Sequence, residues 1–498
     1  MMPMALRLVR RARWLLARTW KQAFRIVTYG VVGALLMGVT LFVVVLERRP
    51  DLEPWHTVHL DEEFTADSDV TTFADYRALE GRLFAQLNEE VYSTAPAGEH
   101  PPINRYFHGS LPDPGRWPTN WNRSFELTAD DPKVGVLMLH GLSDAPYSMR
   151  SLAEALHAHG ATVVALRVPG HGTAASGLVH VEWEEWAAAV ELAMRHLRDT
   201  VRDRPLYLVG YSNGGALAVL YALSTLDDSS LPQAKGLMLI SPEIGISRLA
   251  VLAAWQERLG RLLGLDKLSW NSINPEYDPF QYRSFALNAA NQAYQLTGEI
   301  QKRITKVTAA GDMQRFPDVL AFQSVVDATV SAPVLLSGLF DRLSAGNHEA
   351  VLFDINRLAA VEEMLTHDPW DELQHVFARP DLSFTITLVT NENTQSEQVV
   401  VRRRVAGEEG VTESSLGIAW PEELYSLSHI ALPFPPDDPV YGGPDAAPSP
   451  GVHIGNLELR GERGVLQISA AELLRAHWNP FHDYLQQRML EFMSLPAE

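Results

Sequence analysis

Residues 205–226 read PLYLVGYSNGGALAVLYALSTL. An apolar run, LYLV, ends at Gly210, and small apolar residues that read as a helix begin just past Ser212. Gly210-Tyr211-Ser212-Asn213-Gly214 fits the pattern G-x-S-x-G. In that pattern a serine sits on a strained strand-to-helix turn that lifts its hydroxyl above a sheet. The glycines leave room where strand and helix nearly touch. Ser212 is therefore the candidate nucleophile, and a serine that only caps the following helix is the plainer alternative.

The flanking sequence supplies the rest of such a sheet. VGVLML (134–139), ATVVALRV (161–168) and GLMLIS (236–241) are short apolar runs. Amphipathic stretches lie between them, at 148–160 and 183–201. Strand–helix alternation predicts an α/β fold: a mostly parallel sheet with helices on both faces. The alternation breaks at Glu243. Residues 243–315 read as a mostly helical cap insertion without a clear strand, over the edge of the sheet where such folds bind ligands. Its apolar groups, Trp255, Trp270 and Phe285 among them, suit core packing, or an apolar ester if some line a cleft. The sheet resumes at 318–326 and 349–355, around a helix near 333–343. A second insertion, about 356–428, holds a helix and the strand-like SFTITLV (383–389) and QVVVRRRV (398–405). The Pro/Gly-rich 434–451 reads as loop, and a last amphipathic helix lies near 480–493.

The chain has 498 residues, no cysteine and a formal charge of −20. Without cysteine there is no disulfide scaffold, thiolate metal site, iron–sulfur cluster or Cys nucleophile. The acidic balance argues against a nucleic-acid partner, which needs a basic footprint. The bases are unevenly placed, since residues 1–25 carry seven of them and no acid. Behind them Ile26 to Leu46, IVTYGVVGALLMGVTLFVVVL, has no charged side chain. That length suits the ~30 Å hydrocarbon core as one transmembrane helix. The positive-inside bias then puts the leader, 1–25, in the cytoplasm and the body across the membrane, in the periplasm if the host is a Gram-negative bacterium. A cleaved signal peptide is the rival, but VLERRPDLEPW offers no small-residue cleavage site. Residues 47–130 read as an extension packed on or linking to a catalytic domain at 131–498, with one helix near 72–92.

A serine nucleophile needs donors aimed at a developing oxyanion. The N–H of Asn213, next after Ser212, is one. Leu137-Met138-Leu139-His140-Gly141-Leu142 supplies the other: Gly141 allows the turn and Leu142 N–H would donate. His140 precedes the nucleophile and reads as a structural hydrogen-bonding residue, like His171 in Pro169-Gly170-His171-Gly172-Thr173. Residues 136–173 with LVGYSNGGALA (208–218) resemble the α/β-hydrolase superfamily. The nearest flavour is the bacterial carboxylesterase and monoacylglycerol-lipase group, with its HG loop, PGHG loop and G-x-S-x-G elbow. The resemblance is specific over about 130–245 and looser from 316 to 355. It implies a serine hydrolase of carboxylic esters with a helical cap. The insertion at 356–428 and the anchor depart from a compact esterase.

In this fold the triad follows in the order Ser, then Asp or Glu, then His. Asp327, directly after FQSVV, fits the acid best, and Asp354 and Asp341 are the alternatives. His429 in YSLSHIALPFP (425–435) fits the base best. His348, His367, His375, His453, His477 and His482 are the other histidines past the acid. No cofactor is implied and no metal site is convincing; His157 and His159 lie two apart on a helix and face different sides. The expected partner is a small-molecule or lipid-like ester, with the membrane held through the N-terminal helix. Acyl transfer from the same acyl-enzyme, or a non-catalytic membrane-tethered binding module on the same fold, are the competing readings.

Overall fold

The computed structural model describes residues 4–94, 102–245, 265–327, 329–359, 365, 368–421, 424–455, 458–459 and 474–496. Ten strands form one sheet. They are β1 (Phe125–Leu127), β2 (Val134–Leu139), β3 (Ala161–Leu166), β4 (Leu206–Tyr211), β5 (Gly236–Ile240), β8 (Asp318–Ser324), β9 (Glu349–Phe353), β10 (Thr385–Asn391), β11 (Gln398–Arg404) and β12 (Val411–Ala419). A separate two-stranded piece, β6 (Trp270–Ser272) with β7 (Phe285–Ala286), lies between β5 and β8 in the chain. The strand order is β1-β3-β2-β4-β5-β8-β9-β10-β11-β12. From β3 to β10 every neighbouring pair is parallel, while β1, β11 and β12 pair antiparallel at the two ends.

The parallel strands have helices on both faces, so their residues are apolar on both sides rather than alternating. All six residues of β2, β3 and β4 are buried. On one face the helix Trp183–Val201 turns Trp186, Ala189, Val190, Ala193, Met194, Leu197 and Val201 inward, at helical spacing. Glu182 and Glu185 close its N-terminus as a capping box. On the other face, helices Arg150–Ala158 and His482–Phe492 cover a second cluster built around Val136, Met138, Val209, Met238 and Leu485.

The N-terminal extension is bound tightly to this body. Its helix Phe73–Glu90 buries Phe73, Tyr76, Leu79, Leu83 and Leu87. Tyr76 Oη donates to the carbonyl of Arg167 at 2.6 Å. Arg167 is fully buried and pairs with Glu63 at 2.9 Å and Glu80 at 3.0 Å.

Three expectations need revision. Residues 243–315 are not without strand, because Trp270–Ser272 and Phe285–Ala286 pair; residues 246–264, Trp255 included, lie outside the described residues. The segments 383–389 and 398–405, read as part of an insertion, are β10 and β11 of the main sheet. β10 lies parallel to β9 from Thr385↔Glu349 to Val389↔Phe353. Periodicity alone did not separate a strand of the sheet from a strand of an insertion. Finally, among the described residues no helix is long and apolar enough to cross a membrane, so the transmembrane helix over 26–46 is not supported. Met4–Glu47 is one continuous helix. Side chains 39, 42 and 45 lie outside the described ones, and the unbroken described stretch 24–38 is shorter than the ~20 apolar residues of a crossing.

Candidate active site

β4 stops at Tyr211, and the helix Asn213–Asp227 starts two residues later. Ser212 alone makes the turn, at φ 54° and ψ −118°, a conformation that strains a residue with a Cβ. A Cβ on Gly214 would collide with the carbonyl oxygens of Leu139 and His140. The elbow therefore lies directly against the end of β2, where the His140-Gly141-Leu142 loop begins. Ser212 N–H donates to Ile240 O at 2.9 Å, which ties the turn to β5 as well.

The structure brings Ser212, His429 and Asp327 into one hydrogen-bonded chain. His429 Nε2 lies 2.9 Å from Ser212 Oγ, and His429 Nδ1 lies 2.8 Å from Asp327 Oδ2. Asp327 follows β8, and its carboxylate is held from several sides. Thr329 and Val330 N–H donate to Oδ1 at 2.8 and 3.0 Å, and Gln323 Nε2 donates to Oδ2 at 2.9 Å. Burial opposes ionisation of Asp327, but the imidazole and these N–H donors outweigh it and its pKa is lowered. Burial likewise opposes the imidazolium of His429, yet the carboxylate of Asp327 holds its pKa above the ordinary value.

With Asp327 Oδ2 accepting, Nδ1 of His429 is the protonated nitrogen and Nε2 faces the hydroxyl as an acceptor. Among the described residues neither Leu142 N–H nor Asn213 N–H has an acceptor. Asn213 opens the helix, where amide groups and the helix dipole favour negative charge. The pieces suit attack by an oxygen nucleophile and stabilisation of an oxyanion.

The other candidates serve elsewhere. Asp341 pairs with Arg379 at 2.6 Å, and Asp354 with Arg357 at 2.9 Å. His348 Nδ1 accepts from Val319 N–H at 3.1 Å, and His453 Nε2 meets Gly442 O at 3.0 Å. His477 Nδ1 bonds Gly455 O at 2.5 Å, His482 is buried in the C-terminal helix, and His375 lies in Trp370–Phe377. His367 lies outside the described residues. His140 spans its loop: Nδ1 donates to Gly141 O at 2.9 Å and Nε2 accepts from Val168 N–H at 3.0 Å. Burial and the neighbouring His171 keep it neutral. Among the described residues no group of three or more His, Asp or Glu is placed to hold a metal ion.

Two buried carboxyl groups near the triad were missed in the sequence. Asp144, two residues past Leu142, accepts from Gln281 Nε2 at 2.7 Å. Its pKa is pushed up to about 7 by burial and by Asp278. Glu243, three residues beyond β5, is pushed up to about 7 by burial, with His429 acting against the shift. A carboxyl near a turn carries no sequence mark of burial, so only the position of Glu243 directly after a strand could have pointed to it.

A ten-stranded, largely parallel sheet with a serine elbow after β4 and its histidine and aspartate on later loops is the α/β-hydrolase fold. Residues 130–310 match the family model described as serine aminopeptidase, S33. The thermostable monoacylglycerol lipase of Bacillus sp. (strain H-257) is 27% identical over 179 residues, 36% of this chain and 68% of that protein. A putative 2-succinyl-6-hydroxy-2,4-cyclohexadiene-1-carboxylate synthase of Haemophilus influenzae is 29% identical over 114 residues, covering 23% of this chain and 42% of the relative. Among solved structures, the monoacylglycerol lipase of Paleococcus ferrophilus aligns with 22% identity and a TM-score of 0.35, over 46% of this chain and 88% of its own.

Proposed function

We propose that this protein hydrolyses carboxylic esters through an acyl-enzyme on Ser212. The observation that carries the reading is the unbroken chain from Ser212 Oγ through His429 to Asp327. His429 Nε2 takes the proton of Ser212 as Oγ attacks the ester carbonyl, and Leu142 and Asn213 N–H groups hold the oxyanion. The alcohol leaves with that proton. Water, deprotonated by His429, then attacks the acyl-enzyme, releases the carboxylic acid and returns the proton to Ser212. Asp327 fixes the tautomer and stabilises the imidazolium. The similarity to a monoacylglycerol lipase favours a neutral, lipid-like ester.

Location belongs to the same proposal. The helix Met4–Glu47 exposes Ile26, Val27, Val31, Leu35, Leu36, Met37 and Leu41, a surface that water does not favour. Seven bases precede it. The helix then holds the body at a membrane surface through that apolar face.

The test is a fluorophosphonate probe on the intact chain, with the labelled residue mapped by mass spectrometry. Labelling at Ser212 that Ser212→Ala and His429→Ala abolish is the expected result, followed by turnover of a short-chain ester. Folded protein that neither labels nor turns over esters removes the hydrolase reading. Recovery in the membrane fraction is expected; a chain found only in the soluble fraction removes the tether.

A further inference from the structure

The turn after β5 presents a carboxyl group to the triad for which the mechanism above has no use. Ser241 N–H donates to Phe322 O of β8 at 2.8 Å, and Glu243 N–H donates to Ser212 O at 3.1 Å. Pro242 lies where a Cβ on Gly215 would sit. The backbone on either side of Glu243 is thus fastened both to the elbow and to the strand that leads to Asp327. The side chain is 8% exposed, and Oε2 has no hydrogen-bond partner among the described residues. A buried carboxyl oxygen left unpaired is costly to a fold. A stable protein has no reason to keep it here for packing alone.

We infer that Glu243 is a positioning residue of the reaction: a second carboxyl group facing His429, which supports the imidazolium formed in the transition state alongside Asp327. The inference rests on the hydrolase reading above. Asp327 acts by a direct hydrogen bond to Nδ1. Glu243 acts through the field of its charge, which a water-poor site transmits strongly.

The electrostatics agree with this placement. His429 lowers the pKa of Glu243 against burial, Asp327 raises it, and the result is about 7. In turn Asp327 first, then Glu243 and Asp144, raise the pKa of His429. These are the titratable groups acting on the pair. Glu243 and His429 are therefore coupled, and their proton losses belong to the pair.

The experiment uses the intact chain and a short-chain p-nitrophenyl ester, with kcat and KM measured from pH 5 to 9. The variants are Glu243→Gln, Glu243→Asp, Asp327→Asn and the double variant of Asp327→Asn with Glu243→Gln. Glu243→Gln is expected to lower kcat about tenfold with KM little changed, the effect of about one pKa unit of imidazolium support. The acidic limb of kcat/KM should move to lower pH and follow a single ionisation, because the imidazolium has lost a carboxylate. Adding Glu243→Gln to Asp327→Asn should lower activity further, and Glu243→Asp should restore part of the limb. If Glu243→Gln is insoluble, the same limb is read on Glu243→Met, which also lacks the charge: a displaced limb supports the inference and an unmoved one overturns it. A Glu243→Gln profile that superimposes on the wild type, or a double variant equal to Asp327→Asn alone, overturns it too. Fluorophosphonate labelling separates the two failures. No labelling of the wild type removes the hydrolase reading, whereas normal labelling with an unmoved profile removes only the role of Glu243.

Discussion

Asp327 receives three donors besides the imidazole, so its carboxylate stays in place when its charge is removed. Asp327→Asn should therefore fold normally yet lose about 10⁴-fold in kcat, because the amide favours the wrong tautomer of His429. Circular dichroism and ester turnover on the same sample check this. The raised pKa of His429 has a definite sign for activity. The base must be neutral, so kcat/KM should already be falling as pH drops from above 6.5. For stability the sign of Glu243 is the reverse of an ordinary ion-paired acid. Its folded pKa, about 7, lies above the ordinary value of 4.5, so between those values the native state binds more protons than the unfolded one. Stability contributed by the protonated carboxyl is present below the unfolded pKa and is lost as pH rises through about 7. Glu243→Gln should raise the thermal midpoint at pH 8, by up to about 3 kcal/mol of stability, and change it little at pH 4.5. An equal shift at both pH values would contradict the buried-acid assignment. The Ser, Asp and His were legible in the sequence because each sits at a marked place, past an apolar run. Asp144 and Glu243 were not, since what sets them apart is burial against residues distant in the chain.

Among the elements, the elbow is the least tolerant. Gly214 packs its Cα against the carbonyls of Leu139 and His140, backbone that cannot swing aside. Gly214→Ala must push β2 and the helix Asn213–Asp227 apart, which also displaces Leu142 from Asn213. The expected cost is an overpacked core of about 1–3 kcal/mol and a loss of at least about 100-fold in kcat, since donors misplaced by an ångström lose their effect. A Gly214→Ala variant with wild-type turnover and thermal midpoint would show the elbow to be looser than this geometry. The strands from β2 to β5 could be read from their unbroken apolar runs with turn residues between, the mark of a sheet buried on both faces. β10 carries the same mark in TITLV. Its place in the sheet is hidden because residues 356–384 intervene, and sequence distance says nothing about register. Its parallel pairing with β9 matters to the site: the sheet ends only after β10, β11 and β12, and His429 lies on the next loop. The long gap between acid and base holds four strands of the sheet, β9 to β12, and is not a detour.

At the scale of the whole molecule, the extension ahead of the sheet divides into two parts with opposite energetics. The helix Met4–Glu47 presents apolar side chains outward. The stretch from Trp55 to Phe125 does the reverse, burying Phe64, Phe73, Tyr76, Leu79 and Leu83 against the body. Arg167 marks the seam. It sits at the end of β3 with its guanidinium fully buried, and both of its carboxylate partners, Glu63 and Glu80, come from the extension. Composition showed the basic leader and the apolar run after it, but Glu63 and Glu80 read only as surface charge. Truncation at two points separates the two parts. A chain starting at Arg48 keeps Arg49, whose guanidinium donates to the carbonyls of Lys267 and Trp270 at 2.8 and 2.6 Å, and it should retain full turnover of a water-soluble ester. A chain starting at Asp130 leaves Arg167 buried without its partners, a loss of about 3–5 kcal/mol before the exposed core is counted. It should be recovered only as aggregate. The point variant Glu80→Ala reports on the seam alone: its thermal midpoint should fall by several degrees, and Ser212 should still label with the probe below that midpoint. If the Asp130 chain folds and turns over ester at the wild-type rate, the extension is a linker and not a part of the catalytic domain.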